Sequence, residues 1–94
     1  MFILVAYDVS TTDKPGEKRL RRVARACEDF GQRVQKSIFE CRLEPKDWVE
    51  FRTRLLAEID EKEDSLRFYF LDAGVRVEHH GGGRPADLQG LLAI

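Results

Sequence analysis

Little in this sequence could cross-link the chain or place it in a membrane. The two cysteines, Cys27 and Cys41, are too few for a disulfide framework or a four-ligand zinc site. No apolar run approaches the roughly 20 residues that span a bilayer. The apolar segment 2–9 lacks the basic region that opens a signal peptide. We therefore expect a cytoplasmic protein that folds by apolar burial, with Cys27 in its core.

Net charge is also scarce, because 16 basic and 17 acidic side chains leave a formal charge of −1. The two parts of the chain differ, however. Residues 1–43 carry 9 basic and 6 acidic side chains, whereas residues 44–94 carry 7 and 11. A polyanion would therefore be bound by one local face rather than by the whole surface. With only 94 residues, burial within one chain is marginal, and dimerisation would add stability.

Apolar periodicity predicts one α+β domain. The first strand, residues 2–9, is apolar on both sides, which favours a central position in a sheet. The elements predicted after it are a turn over 10–16, a helix over 17–30 ended by Gly31, a strand over 32–43, a helix opened by Pro45, strands over 66–71 and 75–79, a glycine-rich linker over 81–85 and an apolar tail over 88–94.

Two element orders remain open at this point. Read literally, the pattern gives β-α-β-α-β-β. If the second strand continues past Cys41 as a hairpin, the order becomes β-α-β-β-α-β, the ferredoxin-like arrangement. In both cases the helices cover one face of the sheet, and the other face is either solvated or covered by a partner.

Polar residues occupy one side of the second predicted strand. In a continuous strand Arg33, Gln35 and Ser37 would stand in a row beside Phe39. Together with the Asp8 carboxylate at the end of the first strand, these residues suggest a site for phosphate and a metal ion. A polar dimer surface is the alternative interpretation.

Asp8 follows a long apolar run and shares a face with Leu4 and Ala6. Mg²⁺ would suit it, because this ion needs only one or two protein carboxylates and keeps several waters. One carboxylate is too few in a monomer, but a two-fold axis would supply a second Asp8. Alternatively, Asp8 forms a turn by bonding to Ser10 or Thr11.

The first predicted helix has a basic side opposite its apolar stripe. At about 100° per residue, Lys18, Arg21, Arg22 and Arg25 gather there. Guanidinium groups pair well with phosphate oxygens, so this side could follow a nucleic-acid backbone. An ordinary solvated helix face is the alternative. The adjacent His79 and His80 would point to opposite sides of a strand and are not expected to chelate one ion.

Four segments together carry a family resemblance: VAYDVS, the arginine-rich RLRRVARAC, GQRVQKSIFEC and LRFYFL. The chain resembles the small CRISPR-associated Cas2 proteins, most closely the type I-C branch. The likeness extends over nearly its full length, including VEHHG and the apolar tail. It implies a ferredoxin-like domain over 1–80 that forms a homodimer, with 81–94 as a linker and a strand that pairs with the partner's sheet.

The resemblance also implies an activity and partners. Members are described as metal-dependent endonucleases on RNA or double-stranded DNA, and as the central dimer that holds a DNA duplex between CRISPR integrase subunits. Carried onto this chain, Asp8 is the metal-binding residue for Mg²⁺, and Arg33, Ser37 and Phe39 complete the catalytic set. The nucleic-acid-binding residues implied are Tyr7, Lys18, Arg19, Arg21, Arg22, Arg25, Arg33 and Lys36. Lys36 stands where many relatives have an aromatic residue.

Two functions thus stay open: a Mg²⁺-dependent phosphodiesterase, or a structural module that clamps DNA for the integrase. One Asp per chain is a small metal site, which favours the second function. A regulatory small-molecule domain on the same fold is disfavoured, because its usual glycine-bearing ligand loop is not evident in the sequence.

Overall fold

Five strands and two helices make up the computed structural model, which describes residues 1–72 and 76–82. Their bounds are β1 Phe2–Asp8, α1 Lys14–Phe30, β2 Gln32–Gln35, β3 Ile38–Arg42, α2 Pro45–Glu58, β4 Ser65–Phe70 and β5 Arg76–His80. All pairings are antiparallel, and the strand order is β2-β3-β1-β4-β5. This is the ferredoxin-like α+β fold with an added strand, and β1 is central, as predicted. The proposed C-terminal strand, 88–94, lies outside the described residues.

The predicted continuous strand over 32–43 is wrong. The chain turns back at Lys36 and Ser37, so that β2 and β3 form a hairpin, and the register shifts between Arg33 and Gln35. Arg33 lies opposite Phe39, whereas Gln35 lies opposite Ile38 on the other face of the sheet. Because the shift breaks the two-residue alternation of a strand, the predicted row of Arg33, Gln35 and Ser37 does not form.

Helix α1 begins three residues earlier than the periodicity predicted. Asp13 caps it, since its Oδ1 accepts the Gly16 amide at 2.9 Å, and Pro15 occupies the first turn. As predicted, Gly31 ends the helix. Its amide donates to the Cys27 carbonyl at 2.8 Å. Gly31 is needed for close approach, because a Cβ there would collide with Cys41 and the Glu40 carbonyl.

The core has two parts, one on each face of the sheet. The larger part joins odd-numbered β1 residues to both helices through side chains such as Val23, Cys27, Phe51 and Leu55. The second part, Leu4, Ala6, Ile38 and Tyr69 with Leu71 packed against it, takes no described helix residue. Both helices therefore cover the same face, which we call the helix face. The other is the open face.

Both cysteines lie within this packed core. Cys27 and Cys41 are both fully buried and unpaired, and burial raises the pKa of the Cys41 thiol to about 12. The prediction that Cys27 belongs to the core is confirmed. Across residues 1–72 and 76–82, neither helix has the length and apolar character needed to cross a membrane.

Candidate nucleic-acid interface

A basic groove runs between the two helices on the helix face. It has a volume of about 380 Å³, and we call it the helix groove. Five of its six lining residues are cationic, and the set is Lys18, Arg21, Arg22, Arg25, Arg54 and Glu58. The spacing of the α1 cations had predicted that they share a side of the helix, and the groove gathers all four.

Packing of α1 against α2 brings the groove together. Val23, Ala26 and Cys27 are the fully buried residues of α1 beyond its first turn, and their burial leaves the basic side turned outward. Two ion pairs connect the helices: Arg54 meets Asp29 at 2.7 Å, and Arg22 approaches Glu58 at 3.9 Å. The α1 pattern could not indicate Arg54, because its place depends on how a second helix packs.

Arg19 has a different setting from the other α1 cations. Its Nε donates to Asp64 Oδ2 at 2.9 Å and its Nη2 to Oδ1 at 3.3 Å, and Asp64 has no exposed surface. This partner raises the pKa of the guanidinium. The arginine charge is thus offset by a buried carboxylate, and a direct contact of Arg19 with nucleic acid stays a prediction.

A second, smaller cavity lies where α1 meets the β2–β3 hairpin. It measures about 210 Å³, and we call it the hairpin cavity. Its lining combines apolar and basic side chains: Tyr7, Leu20, Arg21, Ala24, Arg33, Lys36 and Ser37. Five of these were predicted as site residues. Leu20 and Ala24 belong to the apolar side of α1 and were not predicted as site residues, since nothing in the sequence places them beside a hairpin turn.

Arg33 is held in place by three neighbours. Its guanidinium lies over the Phe39 ring at 4.7 Å from the centroid, pairs with Glu28 at 3.3 Å and donates to the Lys36 carbonyl. Phe39 in turn stacks on Tyr7 at 6.2 Å. Burial raises the pKa of the Tyr7 hydroxyl, although the positive charge of Arg33 acts in the opposite direction.

Phe39 is 1% exposed, so its ring offers no surface to a substrate. Its expected place in the catalytic set is therefore revised to a supporting one, beneath Arg33. Ser37 lies in the hairpin turn, where its carbonyl accepts the Tyr7 amide at 3.0 Å. Both residues thus fix the geometry of the hairpin cavity, whereas only Ser37 lines it.

Asp8 is exposed at the end of β1, where it pairs with Ser65 of the neighbouring strand β4. It follows Leu4 and Ala6 of the second core cluster along the same side of β1. Arg33 and Phe39 lie on the helix face, so one chain does not bring Asp8 together with them. Asp8 and the hairpin turn do lie at the same end of the sheet, because the neighbouring Tyr7 bonds to Ser37.

One described chain by itself does not offer a metal cage. No group of three or more His, Cys, Asp or Glu side chains that could hold an ion occurs within residues 1–72 and 76–82. Mg²⁺ can be bound through one or two carboxylates with several waters. Two copies of the chain, each contributing the Asp8 carboxylate, would meet that requirement. A single copy offers only one carboxylate there.

Comparison with known proteins identifies what this chain resembles. The family model described as CRISPR associated protein Cas2 matches residues 1–77. A protein of Chlorobaculum tepidum named CRISPR-associated endoribonuclease Cas2 is 52% identical, with both chains covered fully. A protein of Halalkalibacterium halodurans named CRISPR-associated endonuclease Cas2 is 44% identical, with 95% of each chain covered.

Two solved structures share the fold. The crystal structure of Streptococcus pyogenes Cas2 at pH 6.5 matches with a TM-score of 0.70 at 53% identity, covering 79% of this chain and 89% of that chain. A hypothetical protein from Thermus thermophilus, TT1823, matches with a TM-score of 0.65 at 32% identity, covering 90% and 96%.

Proposed function

We propose, from the premise that this chain belongs to the CRISPR-associated Cas2 family, that it is a nuclease of CRISPR adaptation that binds nucleic acid as a homodimer. The observation that carries the proposal is the row of cations shared by two helices and a hairpin. Arg21 lines both the helix groove and the hairpin cavity, so the two form one basic surface. Such a surface can neutralise successive phosphates without reading bases.

Nuclease activity is supported by the names of the relatives, which are endoribonuclease for some and endonuclease for others. Double-stranded DNA and single-stranded RNA are therefore both proposed substrates. In this chain Asp8 is the residue proposed to bind Mg²⁺, in a site that a second copy completes. Mg²⁺ bound there would polarise the scissile phosphate and lower the pKa of a bound water.

The homodimer is proposed to form through the open face. The second core cluster lies there without a described helix against it, and Asp8 sits at its end. Pairing of two open faces would bring two Asp8 carboxylates near each other, and Mg²⁺ would offset their repulsion. Arg33 is proposed to contribute positive charge to the bound backbone from the hairpin.

Cleavage of single-stranded RNA and of duplex DNA with Mg²⁺, by the wild type and by Asp8→Ala, tests the nuclease proposal. We expect the variant to lose cleavage and keep its thermal midpoint, because the Asp8 side chain is exposed. Glu63→Ala, which removes another exposed carboxylate, is the matched control and should cleave normally. Equal cleavage by wild type and Asp8→Ala would exclude Asp8 as the metal ligand.

A second function is favoured by the separation of Asp8 from the helix groove. The helix groove lies on the helix face, whereas Asp8 ends the row of open-face residues. DNA can therefore be bound without reaching Asp8, as a structural partner of the CRISPR integrase would require. In an integration assay with that integrase, this function predicts that Asp8→Ala supports insertion and that the Arg21, Arg22 and Arg25 triple alanine variant does not.

A further inference from the structure

We propose that the hairpin cavity binds one nucleotide unit of an unpaired strand, with the base against its apolar wall and the phosphate on its basic rim. The inference rests on the proposed binding of nucleic acid, and it does not require cleavage. It assigns different ligands to the two depressions on the basic surface: duplex backbone to the helix groove, and a single unstacked nucleotide to the hairpin cavity.

Size and wall chemistry carry the first step. At about 210 Å³ the cavity is smaller than the roughly 300–1,000 Å³ of pockets for drug-sized ligands, and it suits a single planar ring system. Leu20 and Ala24 of α1 form one wall and remain only partly buried. Tyr7 is 2% exposed and closes the floor of the cavity between the helix and the hairpin. The surface left to a base is this aliphatic wall, against which the apolar face of any base can pack, so the contact should depend little on sequence.

Charge carries the second step. Three cations from separate elements surround this wall: Arg21 of α1, Arg33 of β2 and Lys36 of the turn. None of the seven lining residues is acidic, whereas Glu58 lines the helix groove. Arg33 retains its contact with Glu28 at the margin. A neutral aromatic ring that carries a phosphate matches an apolar wall with a cationic rim, and a purely apolar ligand does not.

The difference between duplex and single strand follows from this geometry. In a duplex the bases are stacked and paired, so only phosphates can contact the rim. An unpaired base can leave its neighbours and enter the cavity, which is how single strands are generally bound. Arg21 belongs to both depressions, so a backbone bound along the helix groove would continue into the cavity where its strand becomes unpaired.

The test fills the cavity without changing charge. Ala24→Leu adds an apolar side chain to the wall. Val49→Leu places a leucine at a 62% exposed position of α2 that lines neither depression, and it serves as the control. Binding of each variant is measured with oligonucleotides that carry one 2-aminopurine, as single-stranded RNA, single-stranded DNA and blunt DNA duplex of the same sequence. Fluorescence reports whether the probe base changes its stacking.

We expect the wild type and Val49→Leu to bind the single strands with a fluorescence change, and Ala24→Leu to lose that change. Its affinity for single strands should fall roughly tenfold, as expected for the loss of one stacked base, while duplex affinity stays the same. A fluorescence change with only RNA or only DNA also supports nucleotide binding in the cavity, provided that Ala24→Leu abolishes the change. It would identify the sugar that the cavity prefers. Lys36→Gln, an exposed change that keeps the wall intact, should also weaken single strands more than duplex.

Single-strand binding by a folded Ala24→Leu variant that equals the wild type would overturn the cavity and leave duplex binding in place. If Ala24→Leu fails to fold, equal weakening of single strands and duplex by Lys36→Gln would overturn it instead. Failure of the wild type to bind any of the three oligonucleotides would overturn the proposed function as well. The two proposals are thus distinguished by the duplex measurement.

Discussion

Arg19 and Asp64 form an ion pair in which a guanidinium that is 19% exposed contacts, at 2.9 and 3.3 Å, a carboxylate with no exposed surface. The same carboxylate accepts the backbone amides of Ser10 at 3.0 Å and Asp60 at 2.8 Å. Asp64 therefore joins α1, the loop that follows Asp8 and the loop that precedes β4. With four donors, the carboxylate is well compensated for its loss of water.

Replacing Asp64 should destabilise the fold strongly. In Asp64→Ala the Arg19 guanidinium and two amides lose their common acceptor, and a buried donor left without an acceptor typically costs about 1–3 kcal/mol. Urea denaturation measures the free energy of unfolding. Glu63→Ala, the exposed neighbour, should stay within about 0.5 kcal/mol of the wild type. A similar small change in Asp64→Ala would mean that the carboxylate adds little to stability.

Salt dependence of duplex binding should identify the cations of the helix groove. The slope of log affinity against log salt should become shallower by about one unit in Arg54→Ala. In the Arg21, Arg22 and Arg25 triple alanine variant the change should reach roughly three units. Arg42→Ala is the control, because this guanidinium stacks over Phe2 at 4.2 Å and lines neither depression. An unaltered slope in the triple variant would mean that this side of α1 is merely solvated.

Local periodicity was sufficient for much of the fold. The first strand is apolar on both sides because β1 lies between β3 and β4 with a core cluster on each face. The apolar stripe and the basic side of α1 were also predicted correctly, since both depend on a 3.6-residue repeat within one helix. Element order was harder, because either arrangement satisfies the same apolar pattern.

The geometry of the candidate site depends on a turn and on contacts between distant elements, which the periodicity of a single segment does not predict. A turn at Lys36 and Ser37, with the register shift before it, leaves Arg33 beside Phe39 on the helix face and places Gln35 opposite Ile38 on the open face. No glycine or proline marks this turn, so a continuous strand was the natural interpretation of the sequence. Arg54 joins the groove only because α2 packs on α1, and the buried Asp64 engages Arg19 from 45 residues away.

Protonation of His79 should lower stability. Although the His79 side chain is exposed, partial loss of water lowers its pKa, and the charges of Arg67 and His80 act in the same direction, so a small effect on stability is expected. Its Nε2 lies 3.2 Å from Ser65 Oγ. The unfolded chain therefore binds the proton more readily, and the free energy of unfolding should decrease as pH falls through about 6.5, the ordinary value.

His79→Gln should be less sensitive to pH between about 7.5 and 5.5 than the wild type in thermal or urea unfolding. A separate effect is expected at lower pH. Burial alone would raise the pKa of Glu78, but hydrogen bonds from Arg52 and His80 lower it, so its contribution is lost only below its ordinary value. Identical pH profiles for wild type and His79→Gln between pH 7.5 and 5.5 would contradict the prediction that protonation of His79 lowers stability.

Gly81 and Gly82 offer a matched pair of substitutions beside the same buried carboxylate residue. Gly81 has φ of +101°, and a Cβ there would collide with the Asp64 carbonyl. Left-handed backbone alone costs an L-residue about 1–2 kcal/mol, so Gly81→Ala should lower the free energy of unfolding by at least that amount. At Gly82 the nearest atom to an added Cβ is the Glu61 carbonyl oxygen, at 3.6 Å. Gly82→Ala should therefore be neutral or stabilise by up to about 1 kcal/mol, because it restricts the unfolded chain. Urea denaturation of the two variants measures the difference, and equal midpoints would show that Gly81 is not constrained against Asp64.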